Sequence, residues 1–210
     1  MIRSIKDTQA FSSLEGAEVV IGDFDDVETL ARAFKGVERA FLLTNSSERA
    51  ERQQSDFVDL ARRAGVKHIV KLSQWAASLD SPVRFLRYHA AVEKKIRESA
   101  MAYTSPRPNL FMQGLLALRE TIIGQGRFFA AVAGARISAV DVRDIASAAA
   151  AALVENGHEE HIYNLTGPQA LSHGEMAEEL SRALGRRARR RRWPPRPHVQ
   201  SPQGFLYRSS

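Results

Sequence analysis

The 210-residue chain contains no cysteine. That excludes disulfides, a thiolate nucleophile and any cysteine-based metal centre, and it suits a reducing, cytoplasmic compartment. No run approaches the ~18 apolar residues of a membrane span. The first residues, MIRSIKDTQAF, lack the apolar core of a secretory signal. Nor does most of the chain carry an excess of positive charge, despite a formal net charge of +6. Eight of the 30 basic residues are arginines at 186, 187, 189–192, 196 and 208, and residues 185–210 hold no acid. The remaining 22 basic residues face 24 acidic ones, a net of −2 for residues 1–184. A mildly acidic body with a basic end gives no second basic patch and speaks against nucleic-acid binding.

What is present is an ordinary globular composition, 44% hydrophobic and 26% charged. The organising stretch is 17–45, AEVVIGDFDDVETLARAFKGVERAFLLTN. Residues 17–21 have the length and apolarity of a strand. Gly22-Asp23 breaks it, and Asp25 or Asp26 can cap a helix by accepting from a free N–H of its first turn. Val27, Leu30, Ala31 and Phe34 recur at helical spacing, and Gly36 suits a left-handed stop. Residues 40–43 are wholly apolar, as in a strand buried inside a parallel sheet. The polar residues Asp23, Thr44 and Asn45 fall where these strands end, and open α/β sheets bind ligands beyond the carboxyl ends of their strands. Capping and turning would account for Asp23 and Asn45 equally well.

The rest alternates in the same way, which predicts an α/β fold with a mainly parallel sheet. Strands are expected at 2–5, 66–73, 102–104 (ended by Pro106 and Pro108) and 162–165, with 127–130 and 136–140 as a possible strand pair. Helices are expected at 48–64 (stopped by Gly65), 88–99, 110–123, 142–154 (capped by Asp141) and from a Ser172–Glu175 capping box to Leu184. A short polar helix or loop is expected at 8–14. Trp75 lies in the loop after the 66–73 strand. Beyond Gly185 the pattern collapses into an Arg/Pro-rich tail, 186–210, expected to be disordered.

In this order, GDFDD, AFKGVERAFLLTN, GVKHIVKLS, RYHAAVEKKIRESAMAYTSPRPNLFMQGLL, DVRDIASAAAAAL and YNLTGPQALSHGEMAEELSRALGR resemble the NmrA-like branch of the atypical short-chain dehydrogenase/reductase superfamily. The likeness covers roughly 1–185. It implies a Rossmann-like, doubly wound domain over 1–185 with a small substrate-side lobe. It also implies NADP(H) or NAD(H) as cofactor. Members include quinone and azo-dye reductases and nucleotide-sensing regulators that catalyse nothing. The resemblance places Lys6 at the 2′-phosphate, Asp23 and Phe24 at adenine, Thr44 and Asn45 at pyrophosphate and ribose, and Ser73 at a substrate carbonyl. Asn109, Phe111 and Met112 fall on the substrate side, Trp75 is placed to roof a planar acceptor, and Arg107 falls in a structural Arg-Pro pair. His89 stands where related families carry a ribose-binding lysine; imidazole can bond ribose and give up a proton near neutral pH. Position 85 is phenylalanine, so the usual tyrosine acid is missing.

The family's glycine-rich turn, Gly-x-x-Gly-x-x-Gly, is found nowhere in this sequence. The chain reads as if it begins at the family's second strand, which makes Met1 doubtful as the true start. The expected function is an NAD(P)H-dependent reductase of a quinone or similar small-molecule acceptor, soluble and monomeric or homodimeric. The alternatives are a non-catalytic NAD(P)-sensing regulator with a protein partner, or a truncated, nonfunctional remnant.

Overall fold

In the computed structural model, residues 1–11, 13–130, 134–186 and 189–192 are described. In chain order the elements are α1 (Val27–Ala33), β1 (Arg39–Leu42), α2 (Ala50–Ala64), β2 (His68–Lys71), α3 (Arg84–Glu98), β3 (Ala102–Pro108) and α4 (Arg119–Gln125). There follow β4 (Arg127–Ala130), β5 (Arg136–Ile137), α5 (Val142–Val154), β6 (His161–Leu165), β7 (Leu171–Ser172), α6 (His173–Leu184) and β8 (Arg189–Arg192). The chain forms two compact units, Met1–Gly114 with Ile137–Ala170, and Leu115–Arg136 with Leu171–Ser210.

The first unit is built on a four-stranded sheet, order β1-β2-β3-β6, with every neighbour pair parallel. Successive residues of a strand point to opposite faces, and β2 uses both. Ile69 joins Leu30, Leu42, Phe57, Val58, Val92 and Ile96 in one apolar cluster. Val70 joins Ala149 and Ala152 of α5 in another. Helices therefore cover both faces, the Rossmann-like α/β arrangement expected from the alternating pattern. Caps follow the local chemistry. Asp26 accepts from the N–H groups of Glu28 and Thr29, Asp141 from that of Arg143, and Ser172 with Glu175 forms a complete capping box. Gly65 ends α2 at φ +83°, a left-handed conformation that a residue with a Cβ adopts only under strain.

Several expected elements differ. The strands at 2–5 and 17–21 shrink to a single parallel bridge, Ile2 to Ile21, and Ile5–Phe11 winds into a 3-10 helix. A ladder needs a partner along its length, and here pairing stops after one step. Pro106 and Pro108 do not end β3. Their carbonyls accept from the N–H groups of Ser73 (2.8 Å) and Trp75 (2.9 Å), while Thr104 to Pro108 pair with β6 on the other side. A proline lacks only the donor, so the strand continues wherever acceptors suffice.

The helix expected at 110–123 is a 3-10 turn, Met112–Leu118, followed by α4. The second unit pairs β4 with β8 in parallel, rather than with residues 136–140. The arginine run read as disordered thus supplies a strand; residues 193–210 of that tail lie outside the described residues.

One ionic contact ties α3 to the sheet. The carboxylate of Glu93, 1% exposed, receives Nε of Arg107 at 2.9 Å and its NH2 at 2.5 Å. Arg97 approaches the same carboxylate at 3.7 Å from one helical turn away. Burying a carboxylate is costly unless it is paired, and removing one partner leaves the charge uncompensated. Arg107→Ala is therefore expected to lower the free energy of unfolding by about 3 kcal/mol, with Arg107→Lys recovering only part, since it gives up the two-pronged contact. Asp26→Ala, which frees two N–H groups of α1, should cost about 1 kcal/mol. Urea titration of each variant measures both.

Candidate functional site

The strand ends generate a polar hollow. Leu43, Thr44 and Asn45 follow β1, and Gly22 and Phe24 follow the Ile21 bridge. With Met1, Ile2, Arg3, Ser47, Arg49 and Gln53 they line a cavity of about 550 Å³. A second, of about 420 Å³, is largely apolar and shares Met1, Phe24 and Leu43 with the first. Three of the expected cofactor residues, Phe24, Thr44 and Asn45, are thus brought together beyond the carboxyl end of a parallel strand. The Phe24 ring stacks on Phe57 at 5.8 Å, which anchors it to the core. The Thr44 hydroxyl accepts from Gln54 Nε2 at 2.7 Å.

Asp23 and Lys6 stand outside that lining. Asp23 accepts from the N–H of Asp25 at 3.0 Å and ion-pairs with Arg3 at 3.4 Å. Its carboxylate is engaged in turning the chain. Lys6 is exposed on the Ile5–Phe11 turn. The cations that do line the cavity are Arg3 and Arg49, and Arg49 is paired with Asp25 at 2.6 Å. The spacing of basic residues alone did not distinguish Arg3 from Lys6, because the short turn that separates them was not legible.

Ser73 and His89 belong to a different, interior cluster. Both are buried, at 3% and 6% exposure. The Ser73 hydroxyl donates to Glu93 Oε1, so its hydrogen is directed at the carboxylate that Arg107 also binds. Nζ of Lys71, fully buried at the end of β2, donates to the Leu72 carbonyl at 3.1 Å and lies 2.9 Å from His89 Nδ1. The rings of Phe85 and Tyr88 close on the imidazole at 4.8 and 4.4 Å.

Burial, and then the neighbouring Lys71, hold the His89 pKa down to about 3. Burial lowers Lys71 to about 7, with Glu93 opposing and Arg107 assisting. Both causes favour the neutral imidazole, which runs against the expectation of a proton given up by His89 near neutral pH. Lys71 and Glu93 are the residues that sequence reasoning missed. Their signals were a lysine inside an apolar strand, VKHIVKLS, and a glutamate one helical turn after His89.

The residues expected to face the acceptor gather near the end of β3. The N–H of Trp75 donates to Pro108, and the indole is 47% exposed. The Asn109 N–H donates to Leu165 at 2.9 Å, and its side-chain oxygen accepts from Leu110 at 2.8 Å. Phe111 bridges to Val140, and the Met112 N–H donates to Val140 at 2.9 Å. None of these four lines either cavity. No cluster of His, Asp and Glu fit to hold a metal occurs among the described residues, and no helix among them is long and apolar enough to cross a membrane.

The chain is 37% identical over 174 residues to the NAD(P)H azoreductase of Xenophilus azovorans, covering 83% of this chain and 61% of the azoreductase. It is 31% identical over 188 residues to quinone oxidoreductase 2 of Escherichia coli (strain K12), covering 89% and 65%. The chain thus spans less than two thirds of the length of these curated relatives. Its fold matches the NADPH complex of an NADPH-dependent quinone oxidoreductase from Escherichia coli with a TM-score of 0.82 and 29% identity, over 91% of this chain and 67% of that one. It matches the NADP(H) complex of the Citrobacter sp. triphenylmethane reductase with a TM-score of 0.81 and 28% identity, over 91% and 68%. The family model described as "NmrA-like family" matches residues 1–206. On its strand order, its strand-end cavity and this match over nearly its whole length, the chain belongs to the NmrA-like family.

Proposed function

We propose that this chain carries the acceptor-side and ribose-side portion of an NAD(P)H-dependent reductase of quinones or similarly easily reduced acceptors. The observation that carries the reading is the convergence of Phe24, Thr44 and Asn45 on one cavity at the end of β1. A partly buried ring, a hydroxyl and an amide suit the adenosine and ribose parts of a dinucleotide. The glycine-rich turn that cradles a pyrophosphate is not in this sequence. When bound, NAD(P)H supplies a hydride, which together with one proton from water converts a quinone carbonyl pair to the hydroquinone.

The chain's own residues bind and orient. Arg3, 63% exposed and already beside Asp23, offers a guanidinium to a 2′-phosphate. Asn45 offers an amide to a sugar hydroxyl. Trp75 presents an indole face to a planar acceptor.

A second reading is a dinucleotide-binding regulator without turnover. It is favoured by the inward orientation of Ser73, whose hydroxyl is engaged by Glu93, and by the burial of His89. Both readings require dinucleotide binding, and a quinone assay separates them. NADPH oxidation by menadione supports the reductase; saturable binding without turnover supports the regulator; no binding at millimolar cofactor overturns both. By calorimetric titration, Asn45→Ala should weaken NADPH and NADH alike by about tenfold, about 1.4 kcal/mol. Arg3→Ala should weaken NADPH several-fold more than NADH, because only NADPH carries the 2′-phosphate. Lys6→Ala should leave both within about twofold.

A further inference from the structure

The cluster at the end of β2 contains a group that the proposed reduction does not use. Lys71 has no exposed surface. A lysine in that position is costly to bury, and the first effect of its burial is the loss of its own basicity. The charged and titratable groups that meet it are Glu93 and His89 from α3 and Arg107 from β3. Glu93 is already bound by Arg107 and Ser73. The contacts of Nζ itself are with the Leu72 carbonyl and His89 Nδ1.

The charge on Nζ decides how hydrogen is distributed between these two side chains. An ammonium group has three hydrogens and no lone pair. An imidazole nitrogen facing it at 2.9 Å must therefore accept. If Nδ1 accepts, the single hydrogen of a neutral imidazole sits on Nε2. That nitrogen meets no partner among the described residues, and it is not among their sealed, unpaired buried atoms, unlike Nδ1 of His68. The rings of Phe85 and Tyr88 hold the plane of the imidazole.

We propose that Lys71 is a positioning residue whose ammonium group locks His89 as the Nε2–H tautomer, making the imidazole a neutral hydrogen-bond donor toward a bound dinucleotide. The dinucleotide contact rests on the cofactor binding proposed above; the lock does not. His89 in this state donates a hydrogen bond and transfers no proton. A neutral Lys71 amine, having a lone pair, can either donate or accept, so the lock belongs to the ammonium form and loosens as pH rises through about 7.

The test is long-range 1H–15N correlation NMR on the full chain labelled with 15N-histidine, with His89 assigned by His89→Gln among the six histidines. At about pH 5.5 an unperturbed histidine is roughly nine-tenths charged. The expected spectrum instead has His89 neutral, Nδ1 bare and Nε2 protonated. A midpoint near 6.5, or hydrogen on Nδ1, overturns the proposal.

Lys71→Met removes the donor at nearly constant volume; His89 should then mix its tautomers and titrate at higher pH, and Lys71→Arg should restore the lock. An unchanged tautomer in Lys71→Met assigns the lock to burial and overturns the role of Lys71. Should Lys71→Met not fold, the wild-type spectrum still decides the tautomer and the Arg variant the donor. Saturation with NADPH that leaves the His89 signals in place would remove the dinucleotide contact while leaving the lock intact.

Discussion

The Glu93 carboxylate is the constraint around which the central part of the first unit is arranged. It is buried to within 1% on α3, where it is stable only if positive charge and donors come to it. Arg107 comes from β3, Ser73 from the segment after β2, and Arg97 from the next turn of α3. Those contacts fix the helix against the ends of two strands. They also set what Ser73 can do, because a hydroxyl donating to a carboxylate has no hydrogen left for a substrate carbonyl. Lys71 completes the cluster from β2 and passes its influence to His89.

The fold was legible where local chemistry and global packing agree. Asp141 and the Ser172–Glu175 box announced helix starts, Gly65 a stop, and the runs at 40–43 and 66–73 two parallel strands, of which β2 is buried while β1 is an edge that leaves Phe41 exposed. It was less legible where one rule was taken to exclude what it only weakens. Prolines at 106 and 108 remove two donors, yet their acceptors keep β3 running. The runs at 2–5 and 17–21 have strand composition, but composition does not supply a neighbour, and only the Ile2–Ile21 bridge forms.

The candidate site was half legible. Strand ends are where polar residues accumulate, so Thr44 and Asn45 were singled out by position, and Phe24 by the family resemblance. Charged residues in the interior leave a weaker mark. Periodicity assigns Lys71 and Glu93 to faces without telling how deeply each face is covered, and the burial of His89 itself, with Lys71 beside it, lowers the basicity first read into the imidazole. Asp23 and Lys6 show the converse: residues of suitable type at a suitable place in the chain, one engaged by Arg3 and the Asp25 N–H, the other outside the cavity lining.

The two prolines of β3 have a mechanical consequence. Ser73 and Trp75 give hydrogen bonds to Pro106 and Pro108 and receive none back from those imino nitrogens. The segment that carries the indole is thus hinged to the sheet on a single row of bonds, where an ordinary ladder would interlock two. Peeling it away forfeits two amide contacts, and with them the Ser73 hydroxyl bond to Glu93, and leaves the β2–β3 register, His68 to Ala102 through Val70 to Thr104, untouched. In terms of amide exchange, Ser73 and Trp75 form a seam of their own, able to open while the strands beneath stay closed.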